Sequence, residues 1–290
     1  MKINLIYPLE QKPLLEILYT AYRICYSSKP VSEIRDEIRS GKISESQIKR
    51  FLRDRFRTGH TSPLRQLHFV FTIEEVSRVL TAQFNRHTVA VERCEMSQRY
   101  INTGGSHNMI FPQKWVDNLD EIRSHGINVG VHSSFEDYNE LVDQLNIPKE
   151  DARYILPMGT ESREQFSIGF EALQNFLDVR MCSCAQTEHR EMAWEIYRIM
   201  RKNFPFLSST LGIKCWENRR GYCDESKKCE EWGKKRPSKK ELMKLWKKIQ
   251  SSQRYIVEIN DLWDVREVAS RKIDNMISTS QKNHLTESNQ

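Results

Sequence analysis

No stretch of this 290-residue chain approaches the roughly 20 consecutive apolar residues that a membrane-spanning helix needs. The opening MKINLIYPLEQKPLL is too briefly apolar and too soon acidic for a secretory leader, so a cytoplasmic protein is expected. There is no internal repeat. Cysteine is odd in number, seven in all and unevenly spaced, which excludes a disulfide scaffold and fits a reducing compartment. A net charge of +6 suits a phosphate-bearing ligand but is too diffuse to identify one.

What is present is a chain long enough to bury a substantial core. Composition divides it at three expected boundaries. Residues 1–210 alternate strand-like and helix-like stretches, 211–271 turn Cys- and Lys-rich, and 272–290 form a polar tail. KINLIY (2–7) and LHFVFTIE (67–74) read as strands, and EQFSIGF (164–170) as a third. The run from Pro13 places Leu15, Leu18 and Tyr22 on one helical face. SESQIKRFLRDRF (44–56) opens with a capping box and stops near Gly59. Helices are also expected over 76–87, around 132–145 and after 170. The clearest amphipathic helix spans 188–203, with Met192, Ile196, Ile199 and Met200 in one stripe. The fold class is α/β (α+β), a mixed sheet flanked by helices.

The segment NRHTVAVERCEMSQRY (85–100) crowds Arg86, Arg93, Arg99, Glu92 and Glu95 next to an apolar strand and helix. Unpaired charges near a core cost several kcal/mol (~1–5), so these are either solvated or arranged around an anion. GHTSP (59–63), AQFNRH (82–87), SQRY (97–100), RYILP (153–157) and NFLDVRMCSCAQTEHREMA (175–193) follow in that order. Together with KINLIY…AYRICYSS at the start, they resemble the flavin-dependent thymidylate synthases over about residues 1–210.

The resemblance implies a nucleotide site of Gln83, Glu95, Ser97, Gln98, Arg99 and Arg153, with Arg180 over the pyrimidine ring. Guanidinium forks, a hydroxyl and backbone N–H groups are the donors a phosphate dianion takes best. If the strand continued through Ser97 and Arg99, their side chains would share a face. Ser97 would position the nucleotide, and Arg180 would stabilise negative charge developing on the ring. For FAD the resemblance implies His60, Ser62, Arg86, His87 and Asn175. It also implies dUMP as substrate, methylenetetrahydrofolate and NADPH as co-substrates, and a homotetramer with shared sites.

The flavin side departs from the family pattern. Thr88 stands in place of the third residue of an Arg-His-Arg triplet, Arg65-Gln66 in place of Glu-His, and Gly169 and Glu171 in place of Asn-x-Arg. The alternative reading is therefore a divergent paralogue with altered or lost flavin chemistry. It would carry out another pyrimidine C5 modification such as hydroxymethylation, or serve as a nucleotide- or RNA-binding module.

Cys215, Cys223 and Cys229 are separated by seven and five residues and lack the tight Cys-x2–4-Cys knuckle of zinc sites. Free thiols in an irregular extension are expected. Were a metal bound there, the fourth ligand would have to come from Cys182 or Cys184. Lysines over 234–250, with Leu242, Leu245 and Ile249 on one face, read as a solvated amphipathic helix; sparse aromatic interleaving argues against nucleic acid. His189 reads as a helix-face residue, and His68, His107, His125, His132 and His284 as structural.

Overall fold

The computed structural model describes residues 1–102, 108–126 and 131–252. The expected tail 272–290, His107 and His284 lie outside them, as do the side chains of His132, Leu245 and Ile249. Strand β1 (Lys2–Tyr7) leads into helices α1 (Gln11–Tyr26), α2 (Val31–Arg39) and α3 (Glu45–Arg57). Strand β2 (His68–Ser77), helix α4 (Arg78–Phe84) and strand β3 (Val91–Glu95) follow. Short helices α5 (Gln113–Asp117) and α6 (Leu119–Ser124) precede α7 (Val131–Asn139), which continues into a π-helical turn, and α8 (Lys149–Ala152). Strand β4 (Glu161–Gly169) passes into α9 (Phe170–Arg180), then α10 (Thr187–Asn203) and α11 (Pro205–Ser208). No helix among the described residues is long and apolar enough to cross a membrane.

The expected combination of a sheet with flanking helices is present. The sheet order is β1-β2-β4-β3, and its pairings are antiparallel throughout. Period-two alternation turns Phe69, Phe71 and Ile73 of β2 inward, beside Phe166 and Ile168 of β4. Helices α4, α9 and α10 pack against this sheet. Helix α10 buries Met192, Ala193, Ile196 and Met200, the stripe its 3.6-residue period creates. The capping box at Ser44 forms as expected: the Gln47 N–H donates to Ser44 Oγ, and the Ser44 N–H to the Gln47 side chain.

The inward row of β4 is not wholly apolar. Ser162 and Glu164 continue the row of Phe166 and Ile168, and both are buried. On β3, Val91, Arg93 and Glu95 turn the same way, with Glu95 directly opposite Glu164. Of the crowded charges of residues 85–100, Arg93 and Glu95 therefore line an inner polar layer at one end of the sheet, while Arg86, Glu92 and Arg99 are exposed.

The chain divides into two units, Met1–Pro237 and Ser238–Gln290. Residues 211–237 belong to the first: Cys215 and Cys223 join the main core cluster, and the Lys214 N–H donates to the Asp178 carbonyl. Helix α12 (Lys239–Ser252) lies in the second unit.

Candidate active site

An open cleft runs beside the β3–β4 edge and the start of α9. Arg65, Arg86, His87, Thr88 and Asn175 line it together with apolar Val89, Ile168, Ala172 and Phe176. His87, one of the lining residues, accepts the Arg180 Nε–H at its Nε2 over 3.0 Å. His87 Nε2 is therefore the acceptor, which fixes a neutral imidazole protonated on Nδ1. Burial, then the charges of Arg180 and Arg93, push His87 down to about 4. Arg180 is itself partly desolvated: burial, and then the charge of Arg86, lowers its basicity. An arginine remains a cation under these conditions, and its field is stronger for the loss of water.

Behind this pair sits His189, wholly buried among Phe84, Phe176 and His87. Neither ring nitrogen of His189 has a hydrogen-bond partner among the described residues. Burial, followed by Arg180 and His87, pushes it down to about 3. Sequence reasoning left His189 on a helix face. It stands three residues before Met192, in the apolar stripe of α10, and that was the signal that it is buried.

The two charge-reversed positions meet each other. Arg65 Nε donates to Glu171 Oε2 (2.5 Å), and Thr61 Oγ1 donates to Glu171 Oε1 (3.0 Å). The hydrogen bond from Arg65 comes first in holding Glu171 below the usual carboxylate range. Gly169 has a local reason as well: a Cβ there would stand 3.2 Å from the Ala90 Cβ, while its N–H donates to the Ala90 carbonyl at 2.9 Å. The cleft thus combines apolar walls with Arg86, Asn175 and a neutral histidine, and its one acidic residue is already matched by Arg65. That donor set suits a ligand that is both aromatic and anionic, as a flavin nucleotide is. His60 lies on the neighbouring loop, its ring held between the Tyr26 hydroxyl (2.9 Å to Nδ1) and Ser62 Oγ (2.8 Å to Nε2).

A second group of expected residues assembles around the SQRY segment. The chain turns here rather than extending: the Ser97 carbonyl accepts the N–H groups of Tyr100 (3.3 Å) and Ile101 (3.1 Å). Ser97 Oγ accepts the Arg99 N–H at 3.3 Å. The condition for Ser97 and Arg99 to share a strand face is therefore not met, because β3 ends at Glu95. The exposed Arg99 side chain ion-pairs with Glu150, and the Arg153 Nε–H donates to the Glu150 carbonyl (3.0 Å). Lys149 Nζ reaches the Tyr100 carbonyl (3.4 Å), so a third cation joins this corner. Sequence reasoning did not single out Lys149 or Glu150.

Glu95 ion-pairs with Arg78 and accepts from Ser162 Oγ (3.1 Å). Arg93 lies 4.9 Å over the Phe84 ring, donates to the His87 carbonyl and approaches Glu164 at 3.5 Å. Burial pushes Glu164 up to about 7, a shift that Arg93 opposes and Glu95 reinforces. Gln83 is half-buried on α4, and Gln98 is buried in the SQRY turn.

These positions can be set against known proteins. The family profile described as thymidylate synthase complementing protein matches residues 11–206. A flavin-dependent thymidylate synthase of Nitratidesulfovibrio vulgaris is 33% identical over 220 residues, covering 74% of this chain and 88% of that protein.

This chain belongs to the flavin-dependent thymidylate synthase family.

It is accordingly an enzyme. Two solved structures share its fold. The flavin-dependent thymidylate synthase of Helicobacter pylori, complexed with FAD and dUMP, superposes with a TM-score of 0.53 at 21% identity. That match covers 73% of this chain and 100% of the other. The UMP/dUMP methylase PolB of Streptomyces cacaoi, bound with 5-Br dUMP, gives 0.55 at 18% identity, covering 73% and 95%.

Proposed function

We propose that this chain methylates C5 of dUMP to give dTMP, with methylenetetrahydrofolate as one-carbon donor, FAD as redox cofactor and NADPH as electron source. The observation that carries this reading is Arg180, partly desolvated and braced by neutral His87, which lines the cleft. His87 engages the guanidinium through Nε, so the terminal nitrogens are the ones left for a ligand oxygen. A fixed cation there stabilises negative charge building on the pyrimidine ring as C5 becomes nucleophilic. Groups of this kind contribute about 2.7–4 kcal/mol to a transition state.

Ser97, Gln98, Arg99 and Arg153 hold the nucleotide, with Gln83 and Glu95 toward the sugar. Arg99 exchanges Glu150 for phosphate, trading one charge-assisted pair for another. Ser97 positions the substrate through an oxygen already oriented by the Arg99 N–H. Arg86, His87 and Asn175 hold the flavin along the cleft, and His60 with Ser62 borders it. When bound, FAD supplies the redox chemistry that turns the transferred carbon into a methyl group. His87 and Phe176 present a dry wall, and neutral His87 adds no competing positive charge.

A homotetramer with shared sites and a cytoplasmic location complete the reading. Exposed Tyr100, Tyr154 and Met158 flank the Arg99–Arg153 corner, where a second copy would cover them. The competing reading, a paralogue with altered flavin chemistry, leaned on Arg65 and Glu171. Their mutual pairing weakens that support, and Thr88, Gln66 and Gly169 are the departures left to it.

The deciding experiment is an absorbance spectrum of the purified protein before and after FAD addition and gel filtration, followed by a dUMP titration. Retained flavin bands that shift with dUMP, together with dTMP formation, support the proposal. dUMP binding without flavin retention would transfer the pocket to the paralogue reading.

A further inference from the structure

Five of the seven cysteines converge on one cavity although they come from distant parts of the sequence. Cys182 and Cys184 follow the end of α9, while Cys215, Cys223 and Cys229 belong to the extension, and all five line the same cavity. Cys25 and Cys94 lie elsewhere and are exposed. Cys182, Cys215 and Cys223 are buried, and the Cys215 thiol interacts electrostatically with Cys223, Cys182 and Cys229. The Gly233 N–H donates to Cys229 Sγ at 3.1 Å, an approach that only glycine allows, since a Cβ at 233 would stand 2.8 Å from the Cys229 nitrogen. Backbone N–H groups aimed at sulfur are the outer-shell contacts that stabilise metal-bound thiolates. Trp216 and Trp232 pack 5.5 Å apart beside this region, and Trp194 and Tyr197 extend the aromatic layer.

Residues 211–237 contain no regular helix or strand, yet the segment is held firmly. Arg219 forms a two-point ion pair with Asp178 of α9 (2.6 and 3.0 Å), and Lys214 pairs with both Asp224 and Glu225 (2.5 Å each). Leu211, Ile213, Cys215 and Cys223 bury in the main core, but the segment has no helical or sheet ladder of hydrogen bonds to help offset the entropy of ordering its backbone. Metal ligation supplies the deficit in small irregular modules.

We propose that the five cysteines of this cavity are the ligand set of a structural, thiolate-bound metal centre that ties residues 211–237 to the end of α9. It is nucleated by Cys182 and Cys184 with Glu225, whose ligand atoms lie within 4.8 Å of one another, and completed from Cys215, Cys223 and Cys229. The centre takes zinc or an iron–sulfur cluster, the two occupants that four thiolates select. Each ligand gives up its thiol proton to solvent on binding, and no oxidant or reductant is needed for zinc. Glu225 lines the same cavity as the cysteines, and its carboxylate is the one within reach of both Cys182 and Cys184 among the described residues. Because Cys182 lies two residues past Arg180, the centre also fixes the helix end from which Arg180 reaches His87.

The test uses the full-length chain, purified without chelator under nitrogen, and reads metal content rather than turnover. Expected is either about one zinc per chain, or about four irons with matching acid-labile sulfide. The Cys215→Ser and Cys223→Ser variants should lose it, whereas Cys25→Ser and Cys94→Ser should keep it. As a second probe, Co2+ added to the reduced, metal-stripped chain should give thiolate charge-transfer absorption that stoichiometric Zn2+ abolishes. Should the serine variants fail to fold, the metal content of the unaltered chain still decides. A chain carrying no stoichiometric metal and giving no such cobalt band overturns the proposal, as do disulfides among the cavity cysteines in the protein as isolated.

Discussion

The Arg99–Arg153 corner and the His87–Arg180 centre are built from the same residue types under opposite solvent regimes. At the corner the sequence motifs are intact, Arg99 is exposed with Arg153 and Lys149 half-buried beside it, and Arg99 rests on Glu150. At the centre the motifs are altered, but the side chains are matched within the chain: partly desolvated Arg180 with His87, and exposed Arg65 with Glu171. Motif identity alone ranks the corner as the better-kept half. Physical chemistry ranks the Arg180–His87 pair as the more finely set, because partial burial amplifies the Arg180 charge. Exposed cations capture a charged substrate; buried ones stabilise charge that appears during reaction.

The comparison breaks most readily at Arg180. Arg180→Ala should lower kcat by about 100-fold or more while moving the dUMP KM far less, since the interaction is made mainly in the transition state. An undiminished rate at saturating dUMP would remove Arg180 from the chemistry. Next comes Arg99→Ala, expected to weaken dUMP binding by about 10- to 100-fold, a charged hydrogen bond being worth ~1.5–3 kcal/mol. Calorimetry reads the affinity, and circular dichroism should show an unchanged fold because the side chain is exposed.

A smaller effect sharpens the contrast at the altered side. Arg65→Ala leaves Glu171 uncompensated at the cleft and should weaken FAD retention by about tenfold. Adding Glu171→Gln should recover much of the loss, and the exchanged pair Arg65→Glu/Glu171→Arg should retain flavin about as well as the parent. If the single and double variants lose flavin equally, the two positions do not act as a pair.

Much of this was legible in the residues because the governing patterns are local. The capping box at Ser44, the α10 stripe and the β2 alternation each follow from a period or a short motif. Glu164 had a signal too: it occupies the inward register of Phe166 and Ile168, but a carboxylate is not assigned to a core without knowledge of Arg93 beside it. The turn at SQRY was invisible because β3 ends at Glu95 although β4 runs on beyond its partner Glu164 to Glu161, and nothing in the local pattern marks that stop. Pairing of Arg65 with Glu171 spans 106 residues, and the cysteine cavity joins the end of α9 to a later irregular segment; neither spacing carries that information. Only the fold brings them together.

The smallest expected effect is also the most diagnostic of burial. His87 and His189 are pushed down to about 4 and about 3, chiefly by burial, while an unfolded histidine titrates near 6.5. As pH falls below 6.5 the unfolded chain takes up protons that the folded chain refuses, so these groups lower stability progressively toward pH 3. Glu164 works in the opposite sense. Pushed up to about 7, it keeps a proton in the folded chain between 7 and 4.5 that the unfolded chain releases, so its contribution grows as pH falls through that window. The two trends partly cancel from pH 7 to 4.5, and below 4.5 the histidines act unopposed by Glu164. Thermal denaturation across this range should therefore show Tm falling more gently above pH 4.5 than below it. His189→Phe, which fills the same apolar site without a titrating ring, should flatten the acid limb relative to the parent. Glu164→Gln should make the decline begin near pH 6.5. Parallel Tm profiles for all three proteins would mean that neither His189 nor Glu164 is as deeply buried as the aromatic packing around Phe84 and Phe176 requires.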